Sequence, residues 1–187
     1  MYIYGVDIKV PTKPYLKRYL HRKYPMPYKP REDEPFGAYL AQLLRDDRDH
    51  HRYAVYLKKF TVKYHIRVNK RQFFNQYMFR LTPYSIYRFN SFVEKMFMQE
   101  LYNYLAQVEE TYASTKHMFT IFNSPFTTKA AIYRFLNKYN IDQSELSYQT
   151  VKKSYYRYKQ KNKKKLLRIL SPKLTAPQPT FDKRLTA

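Results

Sequence analysis

Cysteine is absent from the 187 residues, and glycine occurs only twice, at Gly5 and Gly37. The missing thiols exclude disulfides, cysteine-based zinc sites, iron–sulfur clusters and thiol nucleophiles, in keeping with a reducing compartment. A domain of this length ordinarily carries about 13 glycines. Two glycines so far apart cannot write a P-loop or a dinucleotide-binding fingerprint, because both need backbone to crowd a phosphate where a side chain would clash. A nucleotide-driven motor or a Rossmann enzyme is therefore excluded. No apolar run reaches the roughly 18 residues of a membrane span, and the N-terminus lacks the charged start and long apolar core of a signal peptide. The chain reads as soluble and cytoplasmic.

Acidic residues are scarce as well: 14 Asp and Glu face 36 Lys and Arg, for a formal charge of +22. What the chain has in quantity is aromatic: 22 Tyr and 13 Phe, within a hydrophobic share of 44%, are enough to bury a core. Tyrosine, lysine, asparagine, phenylalanine and isoleucine are also the residues that an AT-rich coding sequence favours, so the tyrosine count alone carries little functional meaning.

The pattern predicts a mainly α protein with a short β element (α+β): a long central helix packed with a C-terminal helix-turn-helix-like pair, an extended N-terminal arm and a C-terminal tail. Residues 1–35 mix tyrosines and basic residues with prolines at 11, 14, 25, 27, 30 and 35. They read as a basic arm holding at most one short helix, about 14–24. Residues 36–126 form the core region. It opens on an amphipathic helix over 36–48 that ends near Asp46, Asp47 and Asp49. Strict alternation over 60–68 places Phe60, Val62, Tyr64, Ile66 and Val68 on one face of a strand. Its pairing partner is open between residues 2–8, the alternating run 53–57 and a second copy of the chain.

Thr82 and Pro83 are a helix cap and first-turn pair. The stripe Ile86, Phe89, Val93, Phe97, Leu101, Tyr104 and Val108 then advances by three or four, giving a helix over 83–110. A less regular stretch follows to residue 126. Residues 127–170 hold two more helices, 128–139 and 147–170, with Asn140 suited to a left-handed stop and Ser147 to a cap. Residues 171–187 read as a flexible tail.

The positive charge lies in blocks. No acid stands between Asp49 and Glu94 or between Glu145 and Asp182, and nine of the seventeen residues from Lys152 to Arg168 are Lys or Arg. Like charges at helical spacing repel by a few tenths of a kcal/mol per pair, so such a run suits a partner that neutralises it, nucleic-acid phosphate above all. The two helices joined by residues 140–146 resemble a helix-turn-helix arrangement, in which the second helix enters the major groove. The resemblance implies that Gln149, Thr150, Lys153 and Ser154 face bases, and that Arg157, Lys161, Lys164 and Lys165 meet phosphates, with Lys152 on the same helix. The linker of seven is longer than the usual turn of 3–4 residues. The competing reading is a helical hairpin with a basic end.

The polar strand face, with Lys59, Lys63, His65 and Arg67, is a second candidate surface, and Lys9, Lys13, Lys17, Arg18, Arg22 and Lys23 would widen it. Tyrosines interleaved with cations, as in Tyr155, Tyr156, Arg157, Tyr158 and Lys159, also suit stacking on unpaired bases. Asp46, Asp47, Asp49, His50 and His51 form the one carboxylate–imidazole cluster, yet neighbouring positions point apart and no second ligand group follows at metal-site spacing. No enzymatic constellation is complete, and neither cofactor nor metal is expected. The expected function is sequence- or structure-dependent DNA binding by a regulator or accessory factor of a phage or mobile element. The alternatives are an RNA- or single-strand-binding protein and a structural subunit of a virion or nucleoprotein assembly. Self-association and membership of a multi-protein assembly stay open.

Overall fold

A computed structural model describes residues 5–45, 48, 50–69, 81–119 and 127–170. The protein is mainly α with one small two-stranded sheet, as the sequence predicts. In chain order the elements are β1 (Gly5–Thr12), α1 (Pro14–Lys23), α2 (Pro35–Arg45), a 3-10 turn (His51–Tyr53), α3 (Ala54–Leu57), β2 (Val62–Asn69), α4 (Pro83–Phe119), α5 (Thr128–Lys138) and α6 (Tyr148–Leu170).

The partner of β2 is the N-terminal strand. β1 and β2 run antiparallel in a register that sets Ile8 opposite Ile66, Val10 opposite Tyr64 and Thr12 opposite Val62. Period-two alternation then turns Ile8, Val10, Tyr64, Ile66 and Val68 into the core and leaves Asp7, Lys9, His65 and Arg67 outside. The far edge of β2 is partly closed by Tyr28, whose N–H donates to the His65 carbonyl at 3.1 Å and whose carbonyl accepts from Arg67 N at 2.8 Å. Residues 53–57 are helical instead of a strand: Tyr53 and Tyr56 pack on Tyr84 and Tyr87 of α4, while Val55 stands 71% exposed. One exposed branched residue between two packed rings produced the false alternation.

The spine is α4. Thr82 caps it, its Oγ1 accepting from Ser85 N at 3.1 Å. Phe89, Val93, Phe97, Leu101 and Leu105 recur every four residues on a single fully buried line. The helix runs to Phe119, beyond the predicted end near 110. The apolar stripe fades after Val108, and no Pro or Gly lies between there and Phe119 to end the helix sooner.

Residues 5–35 are not an extended arm. Tyr15, Leu16, Tyr19 and Leu20 of α1 are buried against α4, with Tyr19 edge-on to Phe97 at 5.3 Å. The prolines that suggested an arm sit where no N–H is required: Pro14 and Pro35 open helices, Pro11 lies near the end of an edge strand, and 25, 27 and 30 occupy the α1–α2 connection. A single hydrophobic cluster extends from Ile8 to Tyr155. Asp46, Asp47, Asp49, residues 70–80 and 120–126, and the predicted tail 171–187 lie outside the described residues.

Gly37 sits in the first turns of α2 because a Cβ there would lie 1.9 Å from the Arg31 carbonyl oxygen. Alanine would gain about 1 kcal/mol of helix propensity, but the overlap is with backbone and costs about 1–3 kcal/mol or more. Gly37→Ala is expected to lower the urea midpoint, and an unchanged or raised midpoint would show that the 31–34 turn yields freely.

Candidate nucleic-acid interface

Three of the scarce carboxylates, Glu94, Glu100 and Glu145, tie the N-terminal segment to the helical body. Glu94 of α4 accepts from Lys13 Nζ at 2.9 Å and from Tyr15 Oη at 2.7 Å. Glu100 accepts from Tyr19 Oη at 3.1 Å and from Tyr139 Oη, and pairs with Lys23. Burial would raise the Glu100 pKa, but the hydrogen bonds from Lys23, Tyr139 and Tyr19 outweigh it and hold the carboxyl below its usual range. Glu145, in the α5–α6 connection, accepts from Arg18 Nε at 2.9 Å. On the outer sheet face Arg67 grips Asp7 with two bonds of 2.7 and 2.9 Å. Lys13, Arg18, Lys23 and Arg67 are thus neutralised inside the protein.

Most of the described cations of α6 are not. The helix starts at Ser147, whose Oγ accepts from Thr150 N at 3.3 Å. The connection before it is tight despite its length. Asn140 takes φ 53°, Ile141 N returns to the Leu136 carbonyl at 3.0 Å, and Ile141 and Leu146 are buried. Val151 and Tyr155 anchor α6 in the core, and Tyr158 stacks on Tyr102 of α4 with centroids 4.4 Å apart. From Gln160 to Lys165 every side chain is exposed, so two turns of helix have left the body. Lys159 bonds Glu109 at 2.8 Å. Lys153, Arg157, Lys161, Lys163, Lys164 and Lys165 have no carboxylate partner among the described residues.

Helical spacing puts Gln149, Lys153, Arg157 and Lys164 along the side of α6 turned away from Val151 and Tyr155. Beneath the projecting end, Gln99 of α4 joins Arg157, Lys161, Asn162, Lys164 and Lys165 around an open concavity. Four cations and three amides, Gln160 being the third, line one hollow and can grip phosphate oxygens while still offering donors and acceptors to a base edge.

Of the sequence-predicted residues, Gln149, Thr150, Lys153, Arg157, Lys161, Lys164 and Lys165 are exposed on α6. Thr150 shares its hydroxyl with Ser147 at 2.9 Å. Lys152 is half-buried and lies over Tyr148 and Tyr156. Ser154 turns inward and shares a hydrogen bond with Tyr102 Oη, so it does not face a base. At 100° per residue it falls nearer Val151 than Lys153, a position the residue type alone conceals. Lys63 and Arg67 lie on the sheet, away from this group, with Arg67 held by Asp7. Lys59 is in the turn after α3, its ammonium 5.9 Å from the Tyr56 ring centre. Gln99, Gln160 and Asn162 line the candidate site and were not singled out by the sequence. Asn162 sits in the basic run, whereas nothing local marks Gln99.

The predicted tyrosine stacking surface is largely consumed by packing: Tyr15, Tyr19 and Tyr155 are buried, and Tyr158 is stacked. His50 meets the Tyr84 ring edge-on at 4.9 Å. Among the described residues, no group of three or more His, Asp or Glu could hold a metal ion, and no helix is long and apolar enough to cross a membrane. Comparison with protein-family models, with curated proteins and with solved structures finds no match to the chain.

Proposed function

We propose that the protein binds duplex DNA through α6, as a regulator or accessory factor of a DNA transaction, with the phage or mobile-element setting that its small, basic, AT-biased chain suggests. The observation that carries this reading is the contrast in charge. Lys13, Arg18, Lys23 and Arg67 are matched to carboxylates, while among the described residues Lys153, Arg157, Lys161, Lys163, Lys164 and Lys165 of α6 are unmatched, and the last four of these stand on the stretch of continuous helix that projects from the body. An uninterrupted helix of 23 residues is about 34 Å long, and its spine of cations would release counterions from a phosphate surface. Duplex is favoured over single strands because most of the described tyrosines that could stack on bases pack instead against other rings.

Salt-titrated fluorescence anisotropy with duplex DNA, single-stranded DNA and RNA tests it. Duplex affinity is expected to fall linearly on a log–log salt plot. Lys153→Ala with Arg157→Ala should weaken binding, and the loss of the Arg157 phosphate contact should flatten the slope by about 0.9, worth about 5-fold near 0.15 M salt. Tighter binding to single strands or RNA than to duplex would overturn the reading. Equal affinity for every polyanion would replace it with a packing role in a nucleoprotein assembly.

A further inference from the structure

Beside α6 runs a row of cations and rings that its exposed stripe does not include. Lys129 of α5 lies over Tyr133 at 6.0 Å, and Tyr133 stacks on Tyr148 of α6 with centroids 5.7 Å apart and planes 21° from parallel. Lys152 lies over both Tyr148, at 5.8 Å, and Tyr156, at 6.0 Å. The row crosses the α5–α6 junction on the outside, and Tyr156 is 49% exposed. We propose that Lys129, Lys152 and the hydroxyls of Tyr133 and Tyr156 form a second phosphate rail, on the flank of α6 away from Arg157, Lys161 and Lys164. Duplex DNA then receives α6 in its major groove with one strand on each rail. This rests on the duplex-binding reading above.

The angular arrangement carries the inference. Lys152 and Arg157 are five residues apart, as are Tyr156 and Lys161, which is about 140° around an α-helix. The strip between the flanks holds Gln149, Lys153 and Gln160, all exposed. A helix with its side chains is about 10–12 Å across and the major groove about 12 Å wide. Cations on both flanks would therefore meet both groove walls while amides and one ammonium face the floor. Gln is the natural bidentate partner of adenine and Lys of guanine.

The rings give the rail its form. A tyrosine face holds a lysine stem extended and attracts the ammonium without consuming its N–H donors. Lys159 supplies the internal comparison: it too lies over a ring, Tyr155 at 5.4 Å, but its ammonium is taken by Glu109. Lys129 and Lys152 have no carboxylate partner among the described residues. Their donors, with the two phenol hydroxyls, are free to meet phosphate oxygens.

The test uses the full chain, a duplex oligonucleotide and the double variant Lys129→Gln, Lys152→Gln. The variant should melt at the wild-type temperature, flatten the salt slope by about 1.8 and bind about 30-fold more weakly near 0.15 M salt. Lys129→Arg with Lys152→Arg should restore the slope. Netropsin, which fills the minor groove, should not displace the protein. A wild-type slope in the Gln variant, while Lys153→Ala with Arg157→Ala weakens binding, would overturn the rail and leave the duplex reading standing. Displacement by netropsin would overturn the groove assignment. If the Lys153, Arg157 variant also binds like wild type, or no duplex complex forms, the reading falls and the rail falls with it.

Discussion

Raising the pH past 10 is expected to unfold the protein in one cooperative step driven by its buried tyrosines. Tyr15, Tyr19, Tyr28, Tyr64, Tyr139 and Tyr155 are each at most 7% exposed, and burial, as the largest cause, raises every one of their pKa values. The carboxylates of Glu94, Glu100 and Glu34 add to the effect by accepting the phenol protons of Tyr15, Tyr19, Tyr139 and Tyr28. A folded pKa above the unfolded value of 10.0 means that the stabilisation is complete below pH 10 and is lost as pH rises toward the folded values. Each such tyrosine then costs about 1.4 kcal/mol per pH unit, and the six together about 8 kcal/mol per unit. Native stabilities of about 5–15 kcal/mol are exhausted within one or two units of that slope.

The measurement is tyrosinate absorbance followed together with far-ultraviolet circular dichroism. The buried set should ionise abruptly as the helical signal collapses, at a pH of about 10.5–12. Gradual ionisation of every tyrosine with the helix signal intact would contradict the burial described for these rings. The Glu100 carboxylate acts at the acid end. Glu100, whose pKa is lowered on folding, contributes stability that is present above the unfolded value of 4.5 and lost as pH falls through the folded one.

The parts of the fold that were legible are those where one period dominates. The α4 stripe from Ile86 to Leu101, the alternation of Tyr64, Ile66 and Val68, and the caps at Thr82 and Ser147 could all be read because each residue answers to a single neighbour surface. The N-terminal segment was misread because its prolines are compatible with both a loose arm and a sequence of element starts. Only tertiary pairing of β1 with β2, and of α1 with α4, decides between them. At the candidate interface the basic run is plain from residue types. Which cations remain unpaired is not, because the clamps Lys13 to Glu94 and Arg18 to Glu145 join residues 81 and 127 positions apart. Gln99 entered the concavity for the same reason.

A single buried amide joins the strand, the first helix and the spine, and its loss should be the most damaging substitution of a polar residue in the protein. Asn90 is 2% exposed, one turn into the apolar line of α4. Its Oδ1 accepts from Thr12 Oγ1 at 2.7 Å and from Lys13 N at 3.3 Å, and its Nδ2 donates to the carbonyls of Pro11 at 2.8 Å and Ile86 at 2.9 Å. All four of the amide's bonding positions are therefore used, at the point where β1 turns into α1. Asn90→Ala strands the Thr12 hydroxyl and the Pro11 carbonyl without their partner, and each buried orphan costs about 1–3 kcal/mol. With the cavity added, the total is expected near 3–5 kcal/mol, read as a lower urea midpoint at unchanged m-value. Asn90→Leu restores volume but not the bonds, so it should recover only the cavity share. Asn90→Asp keeps the acceptor for Thr12 but sets a carboxylate against the Pro11 carbonyl, and should be at least as harmful near neutral pH. Thr12→Val removes one of the two orphans, so a double-mutant cycle with Asn90→Leu should show a coupling of about 1–2 kcal/mol. Strict additivity would mean that the strand-to-helix corner is held by packing alone.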